Sequence, residues 1–480
     1  MYSDMNNTRL IADAKKAFPD IAFPESDKFY SDVIYVCRDI YCGSPGWRTV
    51  KKSGLYSGGL RDMSLINAAK VLCDELTALT FSERTSVIIS DNAINDYVNR
   101  VLDDNGFYEN MPQFLSCAYA MGGGAIKCYI ANGKTVLDYL RADCFVPGEY
   151  NNRRITGGVF RSVSFVKGFY YTLFEHYSTG RVEHKLFRSG SKDTLGTECP
   201  LSELYDIPES TDYHTDVPMF SYFRPAVSNN LDDGCLGLSV FANSTDTLKA
   251  LDVAFDSFSR EFVLGRKRII VPSACVRTVV DPDSGEVRRF FDADDEVYQA
   301  MKCDEEKDLK IVDNTMSIRV SEHVESINAL LDTLCFQCGL SEGYLSFSGR
   351  GGIKTATEVI AENSKTFRTA KSHKNLLEEF LIDTVRAITA AGNFLGECPE
   401  LSDDTEICVS FADDVIEDDA SIIDNNIKLV QAGLKSKLSA IMDIMKCDED
   451  TARQELDRIN SEETAVIDAG TFDPSENSVI

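Results

Sequence analysis

Residues 355–395 read TATEVIAENSKTFRTAKSHKNLLEEFLIDTVRAITAAGNFL. No proline interrupts the run, and its only glycine, Gly392, falls near the end. The stretch predicts one helix from Thr355 to Leu395, roughly 60 Å long at the usual rise. That is far longer than an average globular helix. Its first half is polar, with small apolar patches at Val359, Ile360 and Phe367. Its second half carries a broad apolar stripe of Leu376, Leu377, Phe380, Leu381, Val385, Ile388 and Phe394. A helix apolar at one end and polar at the other spans two environments. Directly before it, Ser348-Gly349-Arg350-Gly351-Gly352-Ile353-Lys354 reads as a flexible cationic loop.

Upstream of that loop the pattern predicts two more long helices. From Arg319 to Cys338, Val320, Val324, Ile327, Leu331, Leu334 and Cys338 alternate strictly by four and three. That is the narrow seam of a helix packed on other helices. From Leu238 to Leu264, Phe241, Thr245, Leu248, Leu251, Phe255, Phe258 and Phe262 form a stripe. Asp252 and Asp256 lie off it, and Asp256 is expected to pair with Arg260 one turn on. Between these helices, Arg266-Lys267-Arg268 opens a β-rich module that closes near Ile318. Its strands are expected at 269–271, 276–280 and 286–291, with a turn at Asp281-Pro282-Asp283-Ser284-Gly285. Two helices thus bracket a small β module.

Nearer the N-terminus, helices are predicted over 65–79, over 92–102 with a stop at Asn105-Gly106, and from Pro112 to Gly122-Gly123-Gly124. The period then becomes alternating. Asn132-Gly133 between 125–130 and 134–140 is a two-residue hairpin signal. Strands follow at 155–165, 170–177 and 182–187, and then a loop-rich connector over 188–234. After the long helix come a strand at 407–411 and helices at 421–432, 436–445 and 449–459. A disordered tail is expected from Ala465.

The chain has 480 residues, enough for several domains. No apolar run is long enough to span a membrane, and the first residues carry no apolar signal region. Fifteen cysteines are expected as reduced thiols, many in the core. The net charge is −28, and residues 397–480 hold 22 acidic against 6 basic residues. Such a surface does not grip nucleic acid by general cationic attraction, although a negative wall can guide it.

Three chemical readings were weighed on residue pattern. Gly349 to Thr355 resembles a nucleotide-binding loop, and 407–414 resembles the acidic strand that accompanies one. A phosphate cradle needs glycine directly before the lysine, and Ile353 stands there. The long helix also leaves no room for the intervening sheet strands. Cys335-Phe336-Gln337-Cys338 lacks a second cysteine pair and sits at a helix C-terminus, where the dipole opposes a thiolate. The acidic doublets (Asp103-Asp104, Asp232-Asp233, Asp294-Asp295, Asp413-Asp414, Asp418-Asp419) fall mostly in turns or helix starts. Hence no catalytic residue, metal ligand or cofactor is assigned.

Three stretches carry a family resemblance: GGGAIKCYI (122–130), LGLSVFANSTDTLKALDVAFDSFSREFVLGRKRIIVP (236–272) and GGIKTATEVIAENSKTFRT (351–369). The chain resembles the portal proteins of tailed bacteriophages, in particular the branch in siphophages of Gram-positive hosts. The resemblance covers most of the chain and weakens after about Phe411. It implies an α+β multidomain fold assembled as a cyclic ring, usually a dodecamer, in the virion at the capsid vertex after assembly in the host cytoplasm. Residues 1–234 would form a wing, 235–265 and 319–340 a two-helix stem, and 266–318 the clip. Residues 341–354 would be a tunnel loop, 355–412 the long wing helix and strand, 413–464 a helical crown, and 465–480 the tail. The implied partners are double-stranded DNA, the terminase large subunit, head-completion adaptors, and major capsid and scaffolding proteins, with no membrane. Within that plan Ser348, Gly349, Arg350, Gly351, Gly352 and Lys354 would face DNA. Asp252, Asp256, Glu322, Glu325 and Asp332 would line the tunnel. Arg266, Lys267, Arg268, Arg288 and Arg289 would serve docking at the clip. A motor ATPase subunit and another ring-forming head–tail adaptor are the alternatives.

Overall fold

The computed structural model describes residues 9–23, 27–51, 59–82, 85–231, 234–264, 269–272, 279–280, 287–288, 298–301, 312–313, 317–347, 361–402, 404–411, 419–431, 433, 435–445 and 451–459. The chain divides into a larger unit, residues 1–351 and 363–412, and a smaller one, residues 352–362 and 413–480.

The larger unit begins with α1 (Leu10–Ala17), α2 (Asp27–Phe29) and α3 (Tyr35–Tyr41), followed by the strand pair β1 (Thr49–Lys51) and β2 (Leu60–Asp62). Next come α4 (Ala68–Thr80), β3 (Ser86–Ile89), α5 (Asn92–Asp104) and α6 (Phe107–Met121). Asp91 starts α5 by accepting hydrogen bonds from the Ala93 and Ile94 amides. α6 starts five residues before Pro112, because Gly106, at φ +57°, turns the chain directly from α5 into it.

β4 (Gly124–Ala131) and β5 (Lys134–Arg141) form the expected hairpin. Asn132 and Gly133 both have positive φ, +53° and +73°, as a tight two-residue turn requires. β6 (Phe145–Asn151), β7 (Arg154–Val166), β8 (Phe169–Ser178) and β9 (Arg181–Ser189) run on as an antiparallel meander. The expected connector is more structured than its composition suggests. β10 (Thr197–Cys199) and β11 (Ser210–Asp212) both pair with β9. β12 (Phe220–Phe223) pairs with β4, giving a sheet of order β12-β4-β5.

The segment Leu238–Phe241, expected as helix, is not helical. It is held instead by the Val240 amide, which donates to the Tyr119 carbonyl at 3.0 Å. A short turn over Ala242–Ser244 then leads into α7 (Thr245–Leu264). In the module beyond α7, β13 (Ile269–Pro272) pairs parallel with β16 (Tyr298–Met301) and antiparallel with β17 (Val312–Asp313). β14 (Val279–Val280) pairs antiparallel with β15 (Val287–Arg288), and the turn expected at residues 281–285 lies outside the described residues. α8 (Val320–Gln337) returns from the module.

The long helix, α9 (Ser364–Leu395), has 32 residues, or about 48 Å. Residues 361–362 are helical too, but Asn363 interrupts, so the run is shorter than the predicted rod; residues 355–360 lie outside the description. Its apolar half packs on β4 and β12. Phe380 lies 5.7 Å from both the Phe114 and Phe223 rings, and Ser221 and Thr384 hydroxyls meet at 2.7 Å. Leu377, Phe380, Leu381, Val385 and Ile388 are buried as expected, whereas Phe394 is exposed. β18 (Ile407–Ser410) pairs antiparallel with β3, a strand that the period did not reveal. In the smaller unit, α10 (Asp419–Gln431), α11 (Lys437–Met445) and a helix over 451–459 confirm the helical expectation for that region.

Two of the three signature stretches meet at a pair of glycines. A Cβ on Gly122, at φ +82°, would come 2.5 Å from the Gly237 carbonyl oxygen, and one on Gly237 equally close to that of Gly122. Neither backbone can retreat, because α6 and the Val240–Tyr119 hydrogen bond fix both sides. Gly122→Ala combines a forbidden contact with left-handed strain, and should lower unfolding stability by about 2 kcal/mol or more. Chemical denaturation of the variant checks this; a loss under about 0.5 kcal/mol would show that the contact relaxes freely.

Candidate functional site

α7 and α8 form an antiparallel hairpin with the β module between them. Thr247 at the start of α7 donates to Gln337 at the end of α8, 2.9 Å away. At the other end Glu261 meets Arg319 and His323. Between these contacts Leu248 and Leu251 of α7 and Ile327, Leu331 and Leu334 of α8 are buried. The half of the seam nearest the body is therefore filled by the chain's own α7, whereas toward the module Val320 and Phe262 stay exposed.

The other flank of α7 ties the hairpin to the rest of the unit. Asp252 is buried and accepts from the Trp47 indole at 2.9 Å and the Ile66 amide at 3.2 Å. Burial raises its carboxyl above the usual range despite those donors. Asp256, also buried, takes a two-pronged contact from Arg61 at 2.8 and 2.7 Å, plus the Ser64 amide at 3.1 Å. Hydrogen bonding from Arg61 holds this carboxyl below its usual range.

Where α7 and α8 approach the module, Glu261 closes the hairpin. It accepts from the Arg319 amide at 3.1 Å, the Arg319 guanidinium at 3.1 and 3.0 Å, and His323 Nε2 at 2.6 Å. The Arg319 hydrogen bonds, with that of His323, pull its carboxyl down to about 2. After α8 the chain folds back along it. The Gly343 amide donates to Asp332 and the Phe347 amide to Asn328, each at 2.8 Å. Phe347 also stands edge-on to Phe258, 6.3 Å away. Thr366 and Thr369 of α9 hold Ser341 and the Gly339 carbonyl, so α8, the turn and α9 lock together.

The profile of the family described as phage portal protein, SPP1 Gp6-like, matches residues 61–468. The chain belongs to that portal family. No curated protein sequence is similar to it. Solved structures similar to it include the neck of an empty GTA particle computed with C6 symmetry, at 13% identity and TM-score 0.43, over 78% of this chain and 88% of that one. The virion of a native gene transfer agent (GTA) particle is 12% identical with TM-score 0.42, over 91% and 98% of the two chains. The neck of a native GTA particle computed with C12 symmetry is 13% identical with TM-score 0.40, over 78% and 88%.

Portal proteins are structural components of the phage head–tail connection, and the fold is the mixed helix-and-sheet, multidomain one expected. Of the five acids expected along the portal tunnel, Asp252 and Asp256 are turned into the subunit and bonded there, so they offer no free charge to a channel. Asp256 pairs with Arg61 rather than as expected with Arg260, because a guanidinium on β2 reaches both of its oxygens. Asp332 is spent partly on the Gly343 amide. Glu322 and Glu325 are exposed. The first part of the expected tunnel loop, Gly343–Phe347, is pinned along α8 rather than projecting. Ser348, Gly349, Arg350, Gly351, Gly352 and Lys354 lie outside the described residues, as do Arg266, Lys267, Arg268 and Arg289; Arg288 is described only as backbone in β15.

The nucleotide-binding alternative loses its second half. β18 sits in a two-stranded antiparallel sheet with β3, not in the parallel sheet such a site is built on. Cys335 and Cys338 are free thiols whose acidity burial suppresses, Cys338 to about 11. Among the described residues no group of His, Cys, Asp and Glu is arranged to hold a metal ion, and no helix is long and apolar enough to cross a membrane. Residue pattern missed Trp47, Arg61, Glu261 and His323. Their partners lie 58 to 205 positions away, beyond any local periodicity.

Two outcomes follow from these contacts. Arg61→Ala leaves a buried carboxylate with one amide donor, and should cost about 2–3 kcal/mol in denaturant unfolding; Arg61→Lys should recover only part, since it cannot bridge both oxygens. Glu261 has a folded pKa below its unfolded value. Its contribution is therefore complete above about pH 4.5 and is lost as the pH falls toward 2. Unfolding measured from pH 6 to pH 2 should show this acid loss in the wild type, and a flatter limb in Glu261→Gln. Parallel limbs would assign the acid sensitivity to other carboxylates.

Proposed function

We propose that this portal chain assembles as a cyclic homo-oligomer, a dodecamer, at one capsid vertex, with double-stranded DNA passing along its axis during packaging and ejection. The observation that carries the reading is the antiparallel α7–α8 hairpin bracketing a β module in a chain of this family. The hairpin is the stem and residues 266–318 are the clip. Arg266, Lys267, Arg268, Arg288 and Arg289 form two short cationic runs within that segment, which is acidic overall, in a chain of net −28. Those runs suit docking of the terminase large subunit during packaging and of head-completion adaptors afterwards. Major capsid and scaffolding proteins surround the remaining surface, and residues 413–464 form the crown. Assembly takes place in the host cytoplasm and the product resides in the virion.

DNA contact belongs to the loop that begins after Phe347. Gly349, Gly351 and Gly352 give it backbone freedom, and Arg350 and Lys354 supply charge. Its first anchor is the Phe347–Asn328 hydrogen bond and its second is α9. Contacts there are few and salt-sensitive, because tight binding would stall translocation. The chain does no chemistry itself; Ile353 in place of the cradle glycine and the antiparallel setting of β18 both support that reading.

Arg350→Ala combined with Lys354→Ala should leave assembly intact and reduce the length of DNA packaged per particle. Full-length packaging by the double variant would remove these charges from the mechanism. ATP hydrolysis by the purified wild-type chain, abolished by Lys354→Ala, would overturn the purely structural role.

A further inference from the structure

Beyond the part of its seam that is filled internally, the α7–α8 hairpin presents two outward faces, and they differ in character. Opposite Leu248 and Leu251, α7 exposes Val253 and Arg260. Opposite Ile327, Leu331 and Leu334, α8 exposes Glu322 and Ala329, with Glu325 beside them. Val253 keeps 46% of its surface exposed, and farther along α7 Phe262 and Val263 are exposed too. Asp256, one turn before Arg260, is already held by both prongs of Arg61, and Glu261 beside it by Arg319 and His323.

The two faces also agree in height. The Thr247–Gln337 contact at one end and the Glu261–His323 contact at the other set the antiparallel register. Interpolating between them puts Arg260 within about one turn of Glu322 and Glu325, and Val253 within about one turn of Ala329. A cyclic ring relates subunits by rotation alone, so heights along its axis are kept from one subunit to the next. The contact it needs is heterologous: one face of each subunit meets a different face of its neighbour. At the height of the module-proximal half, a face with Val253 and Arg260 and a face with Ala329, Glu322 and Glu325 on opposite sides of one hairpin are what such a contact takes; Asp246 and the exposed Phe336 lie at the other end. Ala329 lets the helices approach closely, Val253 fills the space, and the charges fix the height.

We propose that the outer face of α7 in one subunit packs on the outer face of α8 in the next, Arg260 against Glu322 and Glu325, and Val253 against Ala329. This rests on the ring reading above and adds its contact. It also moves Glu322 and Glu325 from the channel wall to the subunit boundary.

The test uses the full-length chain, with assembly followed by light scattering over a range of concentrations. Arg260→Glu places like charges together, and should raise the concentration for half-assembly about tenfold or more. Glu322→Arg with Glu325→Arg should do the same, and the three substitutions combined should restore assembly. In mixed rings, Val253→Cys subunits should form a cysteine-specific cross-link with Ala329→Cys subunits, over the background given by the native thiols. Wild-type rings that Arg260→Glu leaves unchanged, together with no added cross-link, would overturn the contact and leave the ring standing. A wild-type chain monomeric at every concentration would overturn both.

Discussion

Two carboxylates one turn apart on α7 fix how the α7–α8 hairpin leaves the body of this protein. Asp252 holds Trp47 and the Ile66 amide; Asp256 holds Arg61 and the Ser64 amide. Each partner belongs to the strand pair β1–β2 or its flanks, far away in sequence. A buried carboxylate is tolerated only when its lone pairs are met by donors, so the positions of those donors dictate where α7 must lie. α8 follows α7 through the seam, and the β module follows both. The last turn of the hairpin is then set by Glu261, which gathers an amide, a guanidinium and an imidazole from α8 and its start.

Beyond the end of α8, the long helix α9 organises the body by apolar packing. Its second half lies against β4 and β12, and its first half is fastened to the end of α8 by Thr366, Thr369 and Lys365, whose ammonium reaches the Phe336 carbonyl at 2.9 Å. A strain applied at the loop between α8 and α9 would therefore bear directly on both the stem and the body. Short, satisfied hydrogen bonds on either side of a glycine-rich segment are a suitable mount for a part that must yield while its base stays still.

The acidity of the chain takes a different meaning once its geometry is known. The family resemblance implied a channel wall lined by acids. Much of the stem's share is instead consumed inside the subunit, by Arg61, by Trp47 and by backbone amides. A carboxylate on the polar side of a helix looks the same in sequence whether it meets water, DNA or a guanidinium 195 positions away. Hydrogen bonding and burial, not residue type, separate these fates.

What the sequence determined by itself was everything set by local pattern. Asn132-Gly133 specified a hairpin because two positive-φ residues match strand twist. The alternation of Ile327, Leu331 and Leu334 specified a packed helix, and the absence of proline allowed the long run of α9, though not its start after Asn363. The glycines at 122 and 237 were legible as signature positions, although not as neighbours. What only the tertiary structure decided was pairing across distance: β12 beside β4, β18 beside β3, and α7 as the seam's partner. It also decided the fate of Asp252, Asp256 and Asp332. Periodicity encodes which face of an element is apolar, but not what covers that face. The covering element is chosen by the burial and hydrogen bonding of the whole chain at once, and no window along the sequence contains that information.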